Sequence, residues 1–236
     1  MTPLQYRKAQ IWTDNTVLNI NNYDYEYWKD SGNGTMIITA NANNGSFSCE
    51  WHNINNIVFR SGKKFKYYDR THKQLGNISL KYDAAYNSNG ISYLALYGWT
   101  VDPLIEWYII ECYAEHNPAR KFKHLGAHDT DGGTYELYCT TRENGSSILG
   151  VRDFGQYWSI RTVGRFSGTV NVSAHLCAWE NMGLTLGNLT ETALSVEGWQ
   201  SSGKAAVNTN ILTIKPIANM EVTANEIPQA KEIDEK

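Results

Sequence analysis

The segment Ile91–Thr100 alternates with a period of two residues. Tyr93, Tyr97 and Trp99 point one way and Leu94 and Leu96 the other, which is the signature of a strand with two chemically different faces. The pattern recurs. In Leu104–Cys112, Glu106 and Tyr108 oppose Ile105, Trp107 and Ile109. In Gly133–Arg142, Glu136, Tyr138 and Arg142 oppose Leu137. In Ala193–Gln200, Glu197 and Trp199 oppose Leu194 and Val196. Further short segments, Gly34–Ala40, Ser46–Trp51, Lys64–Asp69 and Gln156–Thr162, lie between turns rich in Gly, Asn, Asp and Ser. A chain built this way predicts an all-β sandwich with hairpin connections.

One stretch departs from the pattern. Ser173–Gly183 sets His175, Leu176, Trp179 and Met182 on one side at helical spacing, with Ser173 as a cap and Gly183 as a stop, and predicts one short helix. Residues 1–21 read as an N-terminal extension in which Ile11 and Trp12 could pack on the core. Residues 22–214 form the domain. Residues 215–236, with two prolines, no aromatic and a net negative charge, read as a linker or disordered tail.

The aliphatic faces belong in the core. The opposite faces carry Tyr, Trp, Glu and Arg rather than the Lys, Thr and Ser of a plain solvated surface, and they suit a sugar-binding cleft. With 15 Tyr and 8 Trp the chain has aromatic area to spare for stacking on sugars. A net charge of −3, without a basic stripe or a long apolar run, points away from nucleic acid and from a membrane. Six scattered His and no Cys-x-x-Cys or His-Glu-x-x-His predict neither a metal nor another cofactor. Strand parity separates Cys112 from Cys139 unless a bulge intervenes, and leaves Cys49–Cys177 or free thiols as the alternatives.

Two carboxylates carry the chemistry. Glu106 lies in Leu104-Ile105-Glu106-Trp107-Tyr108 and Glu197 in Ser195-Val196-Glu197-Gly198-Trp199. A Glu in so apolar a strand is costly to bury alone. Two of them, each among aromatics on the same kind of face, suggest paired acid chemistry.

At these residues the sequence resembles a known family. Tyr97-Gly98-Trp99-Thr100-Val101-Asp102-Pro103-Leu104-Ile105-Glu106-Trp107-Tyr108 resembles the nucleophile segment of glycoside hydrolase family 11 xylanases. Val196-Glu197-Gly198-Trp199-Gln200-Ser201-Ser202-Gly203 resembles their acid/base segment, and Gln156-Tyr157-Trp158-Ser159-Ile160-Arg161 also matches. The resemblance implies a β-jelly-roll sandwich of two curved antiparallel sheets with one short helix. It also implies retaining hydrolysis of internal β-1,4 bonds of xylan, with Glu106 as nucleophile and Glu197 as acid/base.

By matching position, Tyr97 and Tyr108 would bind Glu106 or the sugar, Asn56 would contact the acid/base, and Arg142 and Gln156 would flank the cleft. Trp28, Tyr93 and Trp158 are candidate stacking platforms. Two positions depart from the family: Ser146-Ser147-Ile148 stands where its thumb loop has Pro-Ser-Ile, and Glu191 stands where Tyr is frequent. The expected partners are xylan and xylo-oligosaccharides, and the expected state is a secreted monomer, although residues 1–5 show no signal peptide. The alternatives are a non-catalytic carbohydrate-binding jelly roll and a β-glucanase on a similar sandwich.

Overall fold

A computed structural model describes residues 9–38, 44–65 and 68–216. Strand dominates, as the alternation predicts. The elements are β1 (Gln10–Trp12), β2 (Thr16–Ile20), β3 (Tyr23–Lys29), β4 (Asn33–Ile38), β5 (Phe47–Lys64), α1 (His72–Leu75), β6 (Asn77–Ser88), β7 (Ile91–Val101), β8 (Ile105–Tyr113), β9 (Lys123–Thr130), β10 (Gly133–Ser147), β11 (Gly150–Arg161), β12 (Ser167–Val170), α2 (Val172–Asn181), β13 (Asn188–Leu189) and β14 (Glu191–Lys215). Hydrogen bonding runs β1-β4-β5-β14-β7-β8-β11-β10-β9, with β2 on β3, β3 on β5, and β12 on β6, which pairs β14.

The sandwich arises because β14 serves two layers. Its first half, from Ala193 to Trp199, pairs with β7, and its second half, from Gly203 to Lys215, pairs with β6; where it crosses between them, its pairing with β5 shifts register at Ser201/Gly203. Among the described residues, all strand pairs are antiparallel except β8 with β11. Between the layers lies the main core, built on Trp51, Trp107, Trp179, Tyr25, Tyr27 and Phe59. A second cluster of Tyr93, Tyr97, Trp99, Tyr108, Phe154 and Trp158 covers the opposite face of the layer formed by β7, β8 and β11.

Several local expectations need correction. There are two helices among the described residues. The one missed, α1, is a single turn closed by a capping box in which Thr71 and Gln74 satisfy each other's backbone N–H. Helix α2 is capped by Asn171, whose side chain accepts from the Ala174 N–H at 3.1 Å, not by Ser173. Ser173 Oγ instead accepts from Ile78 N at 2.8 Å and ties the helix to β6. Met182, expected on the buried side, is the C-cap and is exposed. Of Lys64–Asp69, only Lys64 is in a strand among the described residues.

A bulge does intervene before Cys112. The β7–β8 register shifts between Leu94 and Ala95, so Cys112 faces Leu94 and the main core, on which Cys139 also packs. All four cysteines are nevertheless free.

Within residues 1–21, β1 pairs with β4 and buries Trp12, while Ile11 is exposed. Strand β14 continues to Lys215, and residues 217–236, most of the expected tail, lie outside the described residues.

Candidate active site

Strand register carries the candidate residues to one face. Directly paired residues share a face, and three rows cross the sheet. Trp28 pairs with Val58, Val58 with Glu197, Glu197 with Tyr93 and Tyr93 with Tyr113. Tyr97 pairs with Tyr108, Tyr108 with Trp158 and Trp158 with Tyr138. Trp99 pairs with Glu106, Glu106 with Gln156 and Gln156 with Thr140. Gly98 lets the strands approach here, since a Cβ would fall 2.2 Å from the Glu191 carbonyl oxygen and 2.3 Å from the Trp107 ring.

Glu106 is buried with both oxygens occupied. Oε1 accepts from the hydroxyls of Tyr97 and Tyr108, each at 3.0 Å, and Oε2 accepts from Gln156 Nε2 at 2.6 Å. The Tyr97 hydroxyl in turn accepts from Trp99 Nε1. Burial pushes the Glu106 carboxyl above its ordinary range, and the three donors and the Arg142 charge pull it back toward the anion.

Glu197 differs. Its Oε2 is buried without a hydrogen-bond partner. Burial first, and then the neighbouring Glu106 charge, push it up to about 8, while the Tyr93 hydroxyl, Arg60 and the Tyr108 hydroxyl oppose the shift. The site thus holds one carboxylate fitted with donors for its anion and a second whose proton is favoured at neutral pH. That is the division of labour that acid-assisted displacement at an acetal requires.

The other candidates fall into place around this pair. Trp28, 37 % exposed, offers an open ring on the row of Glu197. Asn56 pairs with Trp199, next along β14 on the same face as Glu197, and its backbone N–H donates to Asp30 Oδ1 at 2.9 Å. Arg142 is exposed at the start of a register shift in the β10–β11 hairpin, whose tip bears Ile148 and Leu149. Tyr93 is buried edge-on to Tyr108 and Trp158. Trp158 is only 5 % exposed, and Tyr108 stacks on its ring at 4.1 Å and 9°. It therefore supports Tyr108 from beneath.

Sequence reasoning missed Arg60. Its guanidinium lies 4.7 Å from the centre of the Tyr97 ring and pairs with Glu26 at 2.8 Å and Glu191 at 3.4 Å. Glu191, read from sequence only as a missing Tyr, is the partner of this buried cation. No local signal links residues so distant in the chain.

Possible metal ligands gather among the described residues only between α1 and α2, where donor atoms of His72, Cys177 and Glu180 lie within 4.8 Å of one another. Lys73 Nζ already occupies Glu180 Oε2 there, at 2.8 Å.

Residues 20–208 match the family model described as glycosyl hydrolases family 11. The chain is 50 % identical over 206 residues to an endo-1,4-β-xylanase A of Bacillus pumilus, covering 87 % of this chain and 88 % of that protein. It is 48 % identical to an endo-1,4-β-xylanase A of Thermoclostridium stercorarium, across 87 % of this chain but 31 % of that longer protein. Among solved structures, the family 11 xylanase from Neocallimastix patriciarum superposes with a TM-score of 0.77 at 31 % identity, covering 87 % of this chain and all of that one.

Proposed function

The chain belongs to glycosyl hydrolases family 11 and is a retaining endo-1,4-β-xylanase, and on that premise we propose that Glu106 is its nucleophile and Glu197 its general acid/base. A Glu106 oxygen attacks the anomeric carbon as the glycosidic C–O bond breaks, and the Glu197 proton passes to the leaving oxygen. Water then attacks the same carbon, gives its proton to Glu197 and frees Glu106. Two inversions give net retention.

The observation that carries the assignment is the contrast between the two carboxylates: three donors on Glu106 and a buried, unpaired oxygen on Glu197. The donors favour Glu106 as the anion. Loss of its charge on forming the glycosyl-enzyme removes one cause of the raised Glu197 proton affinity, so Glu197 can then accept a proton from water. Tyr97, Tyr108 and Gln156 hold the nucleophile, Trp28 stacks on sugar, Asn56 adjusts the acid/base, and Arg142 flanks the cleft. Tyr93 opposes Glu197, and Trp158 braces Tyr108.

A polymer substrate places the work outside the cell, and we read the chain as a secreted monomer acting on xylan and xylo-oligosaccharides. No helix among the described residues is long and apolar enough to cross a membrane. Residues 22–214 would be the catalytic unit.

Trapping tests the nucleophile. An activated 2-deoxy-2-fluoro xylobioside should leave a stable adduct on the Glu106 peptide, and an adduct mapped to any other residue overturns the assignment. Azide should restore turnover to Glu197→Ala and give a product of retained configuration.

A further inference from the structure

The cleft face carries a buried cation that the reaction as written does not use. Arg60 is 8 % exposed and Glu191 4 % exposed, yet Arg60 Nε and Glu191 Oε1 have no hydrogen-bond partner. A buried charge pair is expensive and gives little net stability, so its retention calls for another reason. The small side chains of Ala193 and Ser195 stand on this face of β14 between Glu191 and Glu197 and leave room for the guanidinium reaching over from β5. The guanidinium rests on Tyr97, and Tyr97 donates to Glu106.

We propose that Arg60 is a positioning residue for the carboxylate pair: it braces the Tyr97 ring and supplies the positive potential that sets how far up the pH scale the enzyme works. This rests on Glu197 being the acid/base. The groups acting on Glu197 are Arg60 from β5, Tyr93 and Tyr97 from β7, and Glu106 and Tyr108 from β8; Glu26 on β3 and Glu191 on β14 pair with Arg60, Lys64 on β5 pairs with Glu26, and Arg142 on β10 acts on Glu106. Arg60 is the cation among these that opposes the Glu106 charge at Glu197. Its field is partly cancelled by Glu26, which its cationic partners hold ionised below the ordinary carboxylate range against the effect of burial.

The test is the alkaline limb of kcat/KM against pH, whose position does not depend on how much of a variant folds. In Arg60→Met the loss of positive potential should move the limb up by about 0.5–1 unit. Glu26→Gln leaves Arg60 less neutralised and should move it down. Arg60→Lys keeps the charge and should hold the limb near the wild-type position. Limbs that stay put in Arg60→Met and Glu26→Gln, or move in the same direction, overturn the proposal. Glu197→Gln separates the two levels. If it is inactive while those limbs stay fixed, only the role of Arg60 falls; if it is active, the acid/base assignment falls first.

Discussion

Glu197 stands directly across from Tyr93 on the neighbouring strand, and its Oε2 is nonetheless buried without a hydrogen-bond partner. A carboxylate oxygen in that position is poorly solvated as an anion and well suited to carrying a proton.

The first expectation is the pH profile. Glu197, pushed up to about 8, must be protonated to act as an acid, so kcat/KM on a soluble xylo-oligosaccharide should fall as pH rises through about 8. In Glu106→Gln the neighbouring charge is gone, and the Glu197 carboxyl should titrate lower by about one unit or more, read by carbon NMR of labelled Glu. An unchanged titration would mean that the two carboxylates do not interact.

Removing a donor from Glu106 should weaken catalysis. Gln156→Ala and Tyr97→Phe each leave an oxygen of a buried anion less satisfied, at a cost of about 1.5–3 kcal/mol, or roughly 10- to 100-fold in kcat/KM. Both raise the Glu106 proton affinity, so the acid limb should move up. A fall in rate with a fixed acid limb would assign these residues to substrate binding alone.

Asn56→Asp should lower the pH optimum. An aspartate on the same face as Glu197 shares a proton with it, and activity then requires one of the two to remain protonated. A superimposable pH profile would show that the side chains do not interact.

Stability should also depend on pH through His175. This residue is fully buried between Ser159 Oγ at 2.9 Å and Asp131 Oδ2 at 3.2 Å, and burial depresses its proton affinity below the ordinary value despite Asp131. A histidine depressed in the folded state lends stability above its unfolded value of about 6.5 and loses it as pH falls below that. The thermal midpoint should therefore drop between pH 7 and 5, and less steeply in His175→Gln. Equal slopes would remove His175 as the cause; His72, also depressed by burial, would be the next residue to substitute.

Deleting residues 217–236 should leave the thermal midpoint and xylan hydrolysis unchanged, as expected if that segment, which holds no aromatic, is the linker its composition suggests. A fall of several degrees in calorimetry would extend the folded unit beyond Pro216.

Period-two alternation sufficed for the faces of β7, β8, β10 and β14, because a strand gives each side chain a side by parity alone. Parity fails at one inserted residue, and the bulge that turns Cys112 to the core has no Gly or Pro to announce it. The capping box of α1 was written in Thr71 and Gln74, but a single turn offers no periodicity to draw attention to it. Glu106 and Glu197 stood out because charge is rare in apolar strands. Arg60 did not, since its meaning depends on Glu26 and Glu191, which only strand pairing brings to it. Trp158 read as a platform because composition cannot distinguish an aromatic that faces a ligand from one lying under another aromatic.

Strand β14 joins these properties. The same 25 residues that carry Glu191 and Glu197 also pass into the outer layer and end against β6. The proposed acid is thus mounted on the seam of the sandwich, on a strand that runs from the cleft into the outer layer. Loosening the far layer detunes the cleft, and turnover becomes a sensitive gauge of whether the two leaves remain closed on each other.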